Sequence, residues 1–299
     1  MAQSKFGRLI IPLVVPFKEN EDIDFDKLEN LIKVQLSSGF CDSLIIGGTT
    51  SEFPALSYDE RAEIIEFVVR TVGKRVPVIA GTGFASTRET IKLTQKAEEI
   101  GVDMAMIVGP YYQRPNQEGI YQHYKAVAEA TNLPIMLYNI PFFDGVNITP
   151  ATFKRLAKIS NIIAIKEEAS LNPTQITQYI HDAPDTFLFY DGDDSMILPV
   201  LIQGAIGVVS GGALVIGKYI RKMLDSYFDG DLEMAKNLHH KIAPFFSRVF
   251  GLRENPIPAL KEALKQVGVD AGCCRRPLMG CTDEEKKIIH DVLSELELV

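Results

Sequence analysis

The sequence predicts an α/β fold, a (β/α)8 TIM barrel with a C-terminal helical extension. Short apolar strands alternate with amphipathic helices eight times before the chain reaches Gly230. The strands are apolar along their whole length, which is typical of a parallel sheet covered by helices. A doubly wound sheet would usually have a glycine-rich turn after its first strand, but "PFKENEDIDF" at residues 16–25 contains no glycine.

The predicted elements follow each other at regular intervals. The strands are Leu9–Val15, Ser43–Ile46, Pro77–Ala80, Met104–Val108, Pro134–Tyr138, Ile162–Lys166, Phe187–Tyr190 and Ile206–Ser210. The helices are Asp26–Ser38, Tyr58–Val72, Thr87–Ile100, Gln117–Thr131, Thr149–Lys158, Pro173–His181, Asp194–Gln203 and Val215–Tyr227. Two starts are well marked, because "SYDE" at residues 57–60 is a capping box and Pro150 stands behind a threonine cap.

The domain organisation follows from this alternation. No linker or change of composition interrupts the eight units, so residues 1–229 are predicted to form one barrel. Residues 230–299 add three helical segments that we expect to pack on the barrel as an extension. These segments are Asp231–Phe250, Pro256–Gln266 and Thr282–Leu296.

Composition excludes several classes of function. The 299-residue chain has a net charge of −8 and no Lys/Arg cluster, so nucleic acid is not an expected partner. The apolar N-terminal run is short and broken by prolines, so we expect no membrane partner and a cytoplasmic location. The four cysteines form no C-x-x-C pair and are expected to be reduced. His239-His240 has no further ligand at metal spacing, so no metal site is predicted.

Polar side chains stand where the predicted strands end, and the C-terminal ends of barrel strands are where chemistry takes place. "GGTTSEF" (47–53), "GPYYQRP" (109–115), "YNIP" (138–141) and the lysine of "IIAIKEE" (162–168) are the candidates. Each has a structural alternative. Lys166 could pair with a neighbouring glutamate, the tyrosines could be packing residues, and the Gly-Gly-Thr-Thr run could be a simple turn.

The combination favours imine chemistry. An amine in a low-dielectric barrel is expected to have a lowered pKa and hence a nucleophilic neutral fraction. Such a lysine forms a Schiff base with a ketone. The hydroxyls of Thr49, Thr50, Tyr112 and Tyr138 would supply a proton relay and a cradle for a carboxylate.

On these motifs the sequence resembles the dihydrodipicolinate synthase / N-acetylneuraminate lyase family of pyruvate-dependent class I aldolases. "GGTTSE", "PYYQRPNQEGIYQHY", "YNIP" and "IKE" match the family, and the match extends from Leu9 to the C-terminal helices. The spacings agree as well, with 63 residues from Thr49 to Tyr112, 26 to Tyr138 and 28 to Lys166.

The resemblance implies a role for each matching residue. Lys166 would form the Schiff base, Tyr138 would be its acid/base, and Thr49 would link Tyr138 to Tyr112. Tyr112 would reach the neighbouring subunit's site in a homotetramer built as a dimer of dimers. The substrate-binding positions would be Gly48, Thr50 and Val209, with the backbone N–H groups of Thr49 and Thr50 binding the pyruvate carboxylate. No cofactor is implied, because the iminium withdraws the electrons.

Departures from the family pattern concern the second substrate. Phe143 stands where the synthases have a carboxylate-binding arginine, Asp144 replaces the hydroxyl residue that follows, and Ser51 replaces a motif glycine. We therefore predict a 2-keto-acid lyase of the synthase type, and add Phe143 and Asp144 as substrate-binding candidates. A sugar-acid aldolase, such as a 2-keto-3-deoxygluconate or N-acetylneuraminate lyase, is the alternative. A non-catalytic 2-keto-acid-binding protein would not need Lys166 and Tyr138 together.

Overall fold

The computed structural model describes residues 4–168 and 172–299. Eight parallel strands close into a barrel in sequence order, with β1 pairing both β2 and β8. The predicted (β/α)8 fold is therefore confirmed. The strands are β1 Leu9–Pro12, β2 Ser43–Ile46, β3 Val78–Gly81, β4 Met104–Val108, β5 Ile135–Asn139, β6 Ile162–Glu167, β7 Leu188–Asp191 and β8 Gly207–Val209.

Burial on both faces explains the continuous apolar strands. Side chains that alternate along each strand fall into two clusters. Ile10 of β1 belongs to the smaller cluster inside the barrel, whereas Leu9 and Ile11 belong to the larger cluster between the strands and the helices. The barrel interior is thus a packed core, and space for a ligand remains at its end.

The helices follow the predicted order. They are α1 Phe25–Ser37, α2 Tyr58–Val72, α3 Thr87–Ile100, α4 Gln117–Glu129, α5 Pro141–Asp144, α6 Pro150–Leu156, α7 Gln175–Asp182, α8 Ile197–Gln203, α9 Ala213–Phe228, α10 Leu232–Pro244, α11 Ile257–Gln266 and α12 Asp283–Glu295. The predicted bounds of α2 and α3 are confirmed, and Ser57 and Glu60 form the predicted capping box. No helix in the described residues combines the length and apolarity that crossing a bilayer would require.

Several predicted bounds were wrong for identifiable reasons. β1 ends at Pro12 instead of Val15, and the Val15 carbonyl accepts a hydrogen bond from Lys261 instead. α8 begins three residues late because the Asp194 side chain accepts a hydrogen bond from the Gly212 N–H. The helix predicted from Asp231 to Phe250 ends at Pro244, and a π-turn at Phe245–Val249 continues it. The sequence did not predict α5.

The last three helices reach back to the barrel mouth. Gly230 has a φ of 86° at the turn between α9 and α10, where the sequence predicts that the extension begins. α10 packs on α9, and α11 packs on α12 and α9. Lys261 of α11 binds Glu52 with an Nζ–Oε1 distance of 2.6 Å, and both side chains are almost fully buried. The extension is therefore fixed directly to the loop that follows β2.

Candidate active site

Lys166 lies at the C-terminal end of β6, beside Tyr138 of β5 and Tyr190 of β7 in the strand register. Its side chain is only 9% exposed, and its Nζ is 4.0 Å from the centroid of the Tyr138 ring. The amine borders a cavity of about 310 Å³ at the barrel mouth. A strand end places Lys166 here because alternate residues of β6 face the barrel axis.

A hydroxyl contact joins the end of β2 to the end of β5. The Oγ1 of Thr49 is 3.3 Å from the hydroxyl oxygen of Tyr138. Thr49 opens a 3₁₀ turn at Thr49–Ser51, and the Ser51 hydroxyl fixes that turn by accepting from Gly47 and donating to Leu13. The predicted neighbourhood of Thr49, Tyr138 and Lys166 is therefore present in the fold.

The same turn presents two backbone N–H groups. Thr49 and Thr50 are the first residues of the turn, where N–H groups have no partner within a helix. Among residues 4–168 and 172–299, neither N–H has a backbone acceptor outside the turn. Both residues line the lysine cavity, as does Val209 at the end of β8. The donors a carboxylate needs are thus available beside the amine.

The charge state of the amine differs from the sequence-based expectation. Burial lowers the pKa of Lys166, but Tyr138, Glu168 and Asp194 outweigh it, and the pKa lies above its ordinary value. Burial also raises the pKa of Tyr138, although the Lys166 ammonium opposes this. The predicted lowering of the lysine pKa was therefore wrong, because acidic groups that the prediction ignored surround the amine. With its pKa raised, we expect the lysine to be an ammonium at neutral pH and to need a base before it attacks.

Those acidic groups form one wall of the cavity. Glu168 places Oε2 3.7 Å from the Lys166 Nζ. Asp193, Asp194 and Ser195 follow the end of β7 and line the same space. The predicted alternative, an ion pair of Lys166 with a neighbouring glutamate, is thus also present. The sequence indicated a glutamate as a partner of Lys166, but it did not indicate that Asp193 and Asp194 would line the same cavity.

The opposite wall comes from the C-terminal extension. Phe246 of the π-turn, Phe250, Ile257 and Leu260 line the cavity. Sequence analysis missed this wall, because these residues lie about 80 to 95 positions beyond Lys166 and reach its cavity only through the tertiary fold. The cavity is therefore apolar on one side and acidic on the other.

Three other predicted site residues lie away from the lysine cavity. Gly48 precedes the 3₁₀ turn and accepts from the Ser51 N–H, but it does not line the cavity. Asp144 is buried, and its Oδ1 accepts from the Val146 N–H at 2.8 Å. Burial raises the pKa of Asp144 to about 7. Tyr112 is 92% exposed and has a φ of 67° in the left-handed region.

A second cavity of about 470 Å³ adjoins the first. Thr49 and Phe143 line both cavities, and Asp144 lines only the second. Phe53, Tyr111 and the segment 275–278 are among its other lining residues. The two cavities meet at Thr49, so a group that enters the second cavity from outside would reach the Thr49–Tyr138 hydroxyl pair.

The barrel and its mouth define the class of protein, a (β/α)8 enzyme with a buried lysine at the catalytic end of the barrel. The chain matches the model of the Dihydrodipicolinate synthetase family over residues 5–296. A 4-hydroxy-tetrahydrodipicolinate synthase of Bacillus velezensis is 44% identical over 290 residues, which cover 97% of this chain and 99% of that protein.

Solved structures agree with this match. A dihydrodipicolinate synthase from Bacillus anthracis has a TM-score of 0.92 and 41% identity, with coverage of 97% of this chain and 98% of that one. A chloride-inhibited dihydrodipicolinate synthase from Acinetobacter baumannii, complexed with pyruvate, has a TM-score of 0.92 and 34% identity, with coverage of 98% and 100%. The chain belongs to the dihydrodipicolinate synthetase family. The predicted class of enzyme, a lyase acting on 2-keto acids through a Schiff base, is confirmed.

Proposed function

We propose that Lys166 forms the Schiff base with pyruvate or a related 2-keto acid. The supporting observation is a contrast between the two lysines that are buried in the described residues, Lys166 and Lys261. The Nζ of Lys261 donates to the Val15 carbonyl, the Cys273 carbonyl and Glu52, which occupies its three N–H groups. Lys166 instead borders a cavity beside two hydroxyls. Of these two lysines, Lys166 is the one that has room for a ketone.

The neighbouring groups suit the steps of imine formation. The hydroxyl of Tyr138, whose ring centroid is 4.0 Å from the amine nitrogen, would give and take protons while the carbinolamine forms and loses water. Thr49 would hold that hydroxyl in place through the 3.3 Å contact. The N–H groups of Thr49 and Thr50 would bind the carboxylate of the keto acid. These roles are proposals supported by proximity and by the family to which the chain belongs.

Tyr112 fits the proposal only through a second copy of the chain. Its ring is exposed and borders neither of the two cavities beside Thr49. The second cavity opens from the surface to Thr49 and is large enough for a phenol ring. We propose that the Tyr112 of a partner subunit enters it and extends the relay, in a homotetramer built from two such dimers. Sedimentation tests this directly, because an isolated monomer with full activity would contradict the cross-subunit role.

The second substrate is proposed to be an aldehyde without a carboxylate at the distal end, or the matching 2-keto-3-deoxy acid. The relatives named above are synthases, but Phe143 offers no positive charge at the position of the synthase arginine. Arg114 lies against Gly145 and does not line the lysine cavity. Asp194 would repel a second carboxylate, and Glu168, Asp193 and Asp194 would accept hydrogen bonds from hydroxyls.

The relatives named above favour the synthase type over the sugar-acid aldolase alternative, although hydroxylated chains, its substrates, would also suit these contacts. Asp144, a predicted substrate-binding candidate, lines the second cavity instead of the lysine cavity, and its Oδ1 already accepts a hydrogen bond from Val146.

A cytoplasmic location is part of the proposal and is supported by the four free thiols, which a reducing compartment maintains.

A panel of aldehydes condensed with pyruvate tests the proposal. Neutral and hydroxylated aldehydes should be turned over faster than aspartate semialdehyde. Efficient use of aspartate semialdehyde, with kcat/KM above about 10⁴ M⁻¹s⁻¹, would contradict the proposed second substrate but not the Schiff base. If pyruvate and borohydride together leave the enzyme fully active, the Schiff base itself is contradicted.

A further inference from the structure

Glu168 shares the inner face of the barrel end with Lys166. The two residues are two positions apart, and the Glu168 N–H continues the ladder by donating to the Asn139 carbonyl at 3.0 Å. Residues two apart on a strand point the same way. Accordingly, the Glu168 Oε2 lies 3.7 Å from the Lys166 Nζ, and both side chains line the lysine cavity.

Glu167 provides a comparison within the same strand. It points to the other face, where its carboxylate accepts from the side-chain amides of Asn139 and Gln175. It is buried like Lys166 but does not line the lysine cavity. Two adjacent carboxylates therefore differ in one respect that matters for chemistry, because only Glu168 faces the amine.

Gly192 preserves the contact between Glu168 and the lysine. A Cβ placed on Gly192 would lie 2.6 Å from the Glu168 Oε2 and 2.7 Å from the Lys166 Cε. Gly192 directly follows β7, so Glu168 approaches the amine from the β7 side. Tyr138 approaches from β5, on the other neighbouring strand. The amine therefore has an ionisable group on each side, the Tyr138 hydroxyl and the Glu168 carboxyl.

We infer that Glu168 is a second acid–base residue of the active site, which takes a proton from the Lys166 ammonium and returns it to the oxygen that leaves as water. The inference rests on the proposed Schiff base. In that step the nitrogen attacks the keto carbon, a C–N bond forms, and the C=O π electrons move to oxygen. Two protons pass from nitrogen to that oxygen, and the C–O bond then breaks to give the iminium and water. The number of protons to be transferred therefore equals the number of acid–base groups beside the amine, Tyr138 and Glu168.

The pKa of the Glu168 carboxyl group favours proton transfer near neutral pH. Burial raises the pKa of Glu168 to about 8, although the Lys166 ammonium lowers it. The other titratable groups that face Glu168 come from the ends of two strands. They are Tyr138 of β5 and Asp193 and Asp194 after the end of β7, while Glu167 of β6 and Asp191 of β7 act on Glu168 through their charge. A carboxylate with this pKa accepts a proton readily and also gives it back.

The test measures imine formation separately from turnover. Wild type, Glu168→Gln and Glu167→Gln are mixed with pyruvate, quenched with borohydride at timed delays, and analysed by mass for the reduced adduct. Glu168→Gln keeps the size of the side chain but cannot carry a proton, so its adduct should form about 10²-fold more slowly, on the scale of one acid–base group. Glu167→Gln is the matched control and should form it at nearly the wild-type rate.

The pH profile distinguishes a proton carrier from a structural partner. In the wild type the rate should rise as pH passes through about 8, because Glu168 is a base only when deprotonated. Glu168→Gln should lack this rise, and Glu168→Asp should restore part of it. An unchanged rate and pH profile in Glu168→Gln would overturn the inference while leaving the Schiff base intact. Failure of the wild type to form any adduct would instead overturn the proposed function.

Discussion

The hydroxyl oxygens of Thr49 and Tyr138 lie 3.3 Å apart although 89 positions separate the two residues in the chain. The contact exists because β2 and β5 end at the same rim of the barrel. It places a hydrogen-bonded pair of hydroxyls next to the Lys166 amine, and it joins the two cavities of the barrel mouth.

Replacing Tyr138 with Phe should lower turnover by at least about 10²-fold, because the acid–base hydroxyl is lost while the ring remains. The ring is buried, so the Phe variant should unfold at nearly the same temperature as the wild type. Steady-state kinetics and a thermal melt check both statements. Thr49→Ser keeps a hydroxyl at the other end of the contact and should lose much less activity. Equal turnover of Tyr138→Phe and wild type would remove this residue from the chemistry.

Phe143→Arg should improve the use of aspartate semialdehyde relative to a neutral aldehyde. An arginine at this position adds a charge-assisted hydrogen bond worth roughly 1.5–3 kcal/mol, or about ten- to a hundredfold in affinity. The measurement is the ratio of the kcat/KM values for the two aldehydes. Phe142→Arg is the control, because Phe142 lines neither the lysine cavity nor the second cavity. An unchanged ratio would show that Phe143 does not set the choice of aldehyde.

The ion pair of Glu52 and Lys261 should be important for stability. Lys261→Met leaves a buried carboxylate without its partner and should cost about 3–5 kcal/mol in the free energy of unfolding. Lys33→Met removes an exposed partner of Glu29 and should cost at most about 1 kcal/mol. Denaturant titration compares the two variants. Equal costs would show that the extension is not held to the barrel by this pair.

Glu167 should make stability depend on pH in a definite direction. Burial raises its folded-state pKa to about 8 from the ordinary value of 4.5. Between these values the folded protein keeps a proton that the unfolded chain releases, so this residue's contribution to stability falls as pH rises. Glu167→Gln should therefore gain stability relative to wild type from pH 5 to pH 8. A difference that stays constant over this range in denaturant titrations would contradict the raised pKa.

Much of the fold was predictable because its determinants are local. Tyr58–Val72 has its capping box and its apolar period within one segment, and both bounds were confirmed. The order of the strands followed from continuous apolar runs that only a covered parallel sheet can bury. The element ends that were predicted wrongly depend on residues distant in the sequence. Asp194, for example, accepts a hydrogen bond from the Gly212 N–H, and α8 begins three residues after it.

The site was predictable only in part. Lys166, Tyr138, Thr49, Thr50 and Val209 stand at strand ends, so strand order alone places them at one rim. The sequence could not show that Phe246 and Leu260 would cover that rim, or that Asp144 would face the second cavity. The predicted direction of the Lys166 pKa shift was wrong for the same reason. The shift depends on where the side chains of Glu168 and Asp194 point.

The most direct test of the central claim is a mass measurement on two buried lysines. After incubation with pyruvate and borohydride, the proteolytic peptide that contains Lys166 should gain the mass of a reduced pyruvate adduct. The peptide that contains Lys261 should not, because Glu52 and two backbone carbonyls already hold that amine. Lys166→Arg keeps the charge and should abolish both the adduct and turnover. An adduct on any other lysine, or none in an active enzyme, would contradict the assignment of Lys166.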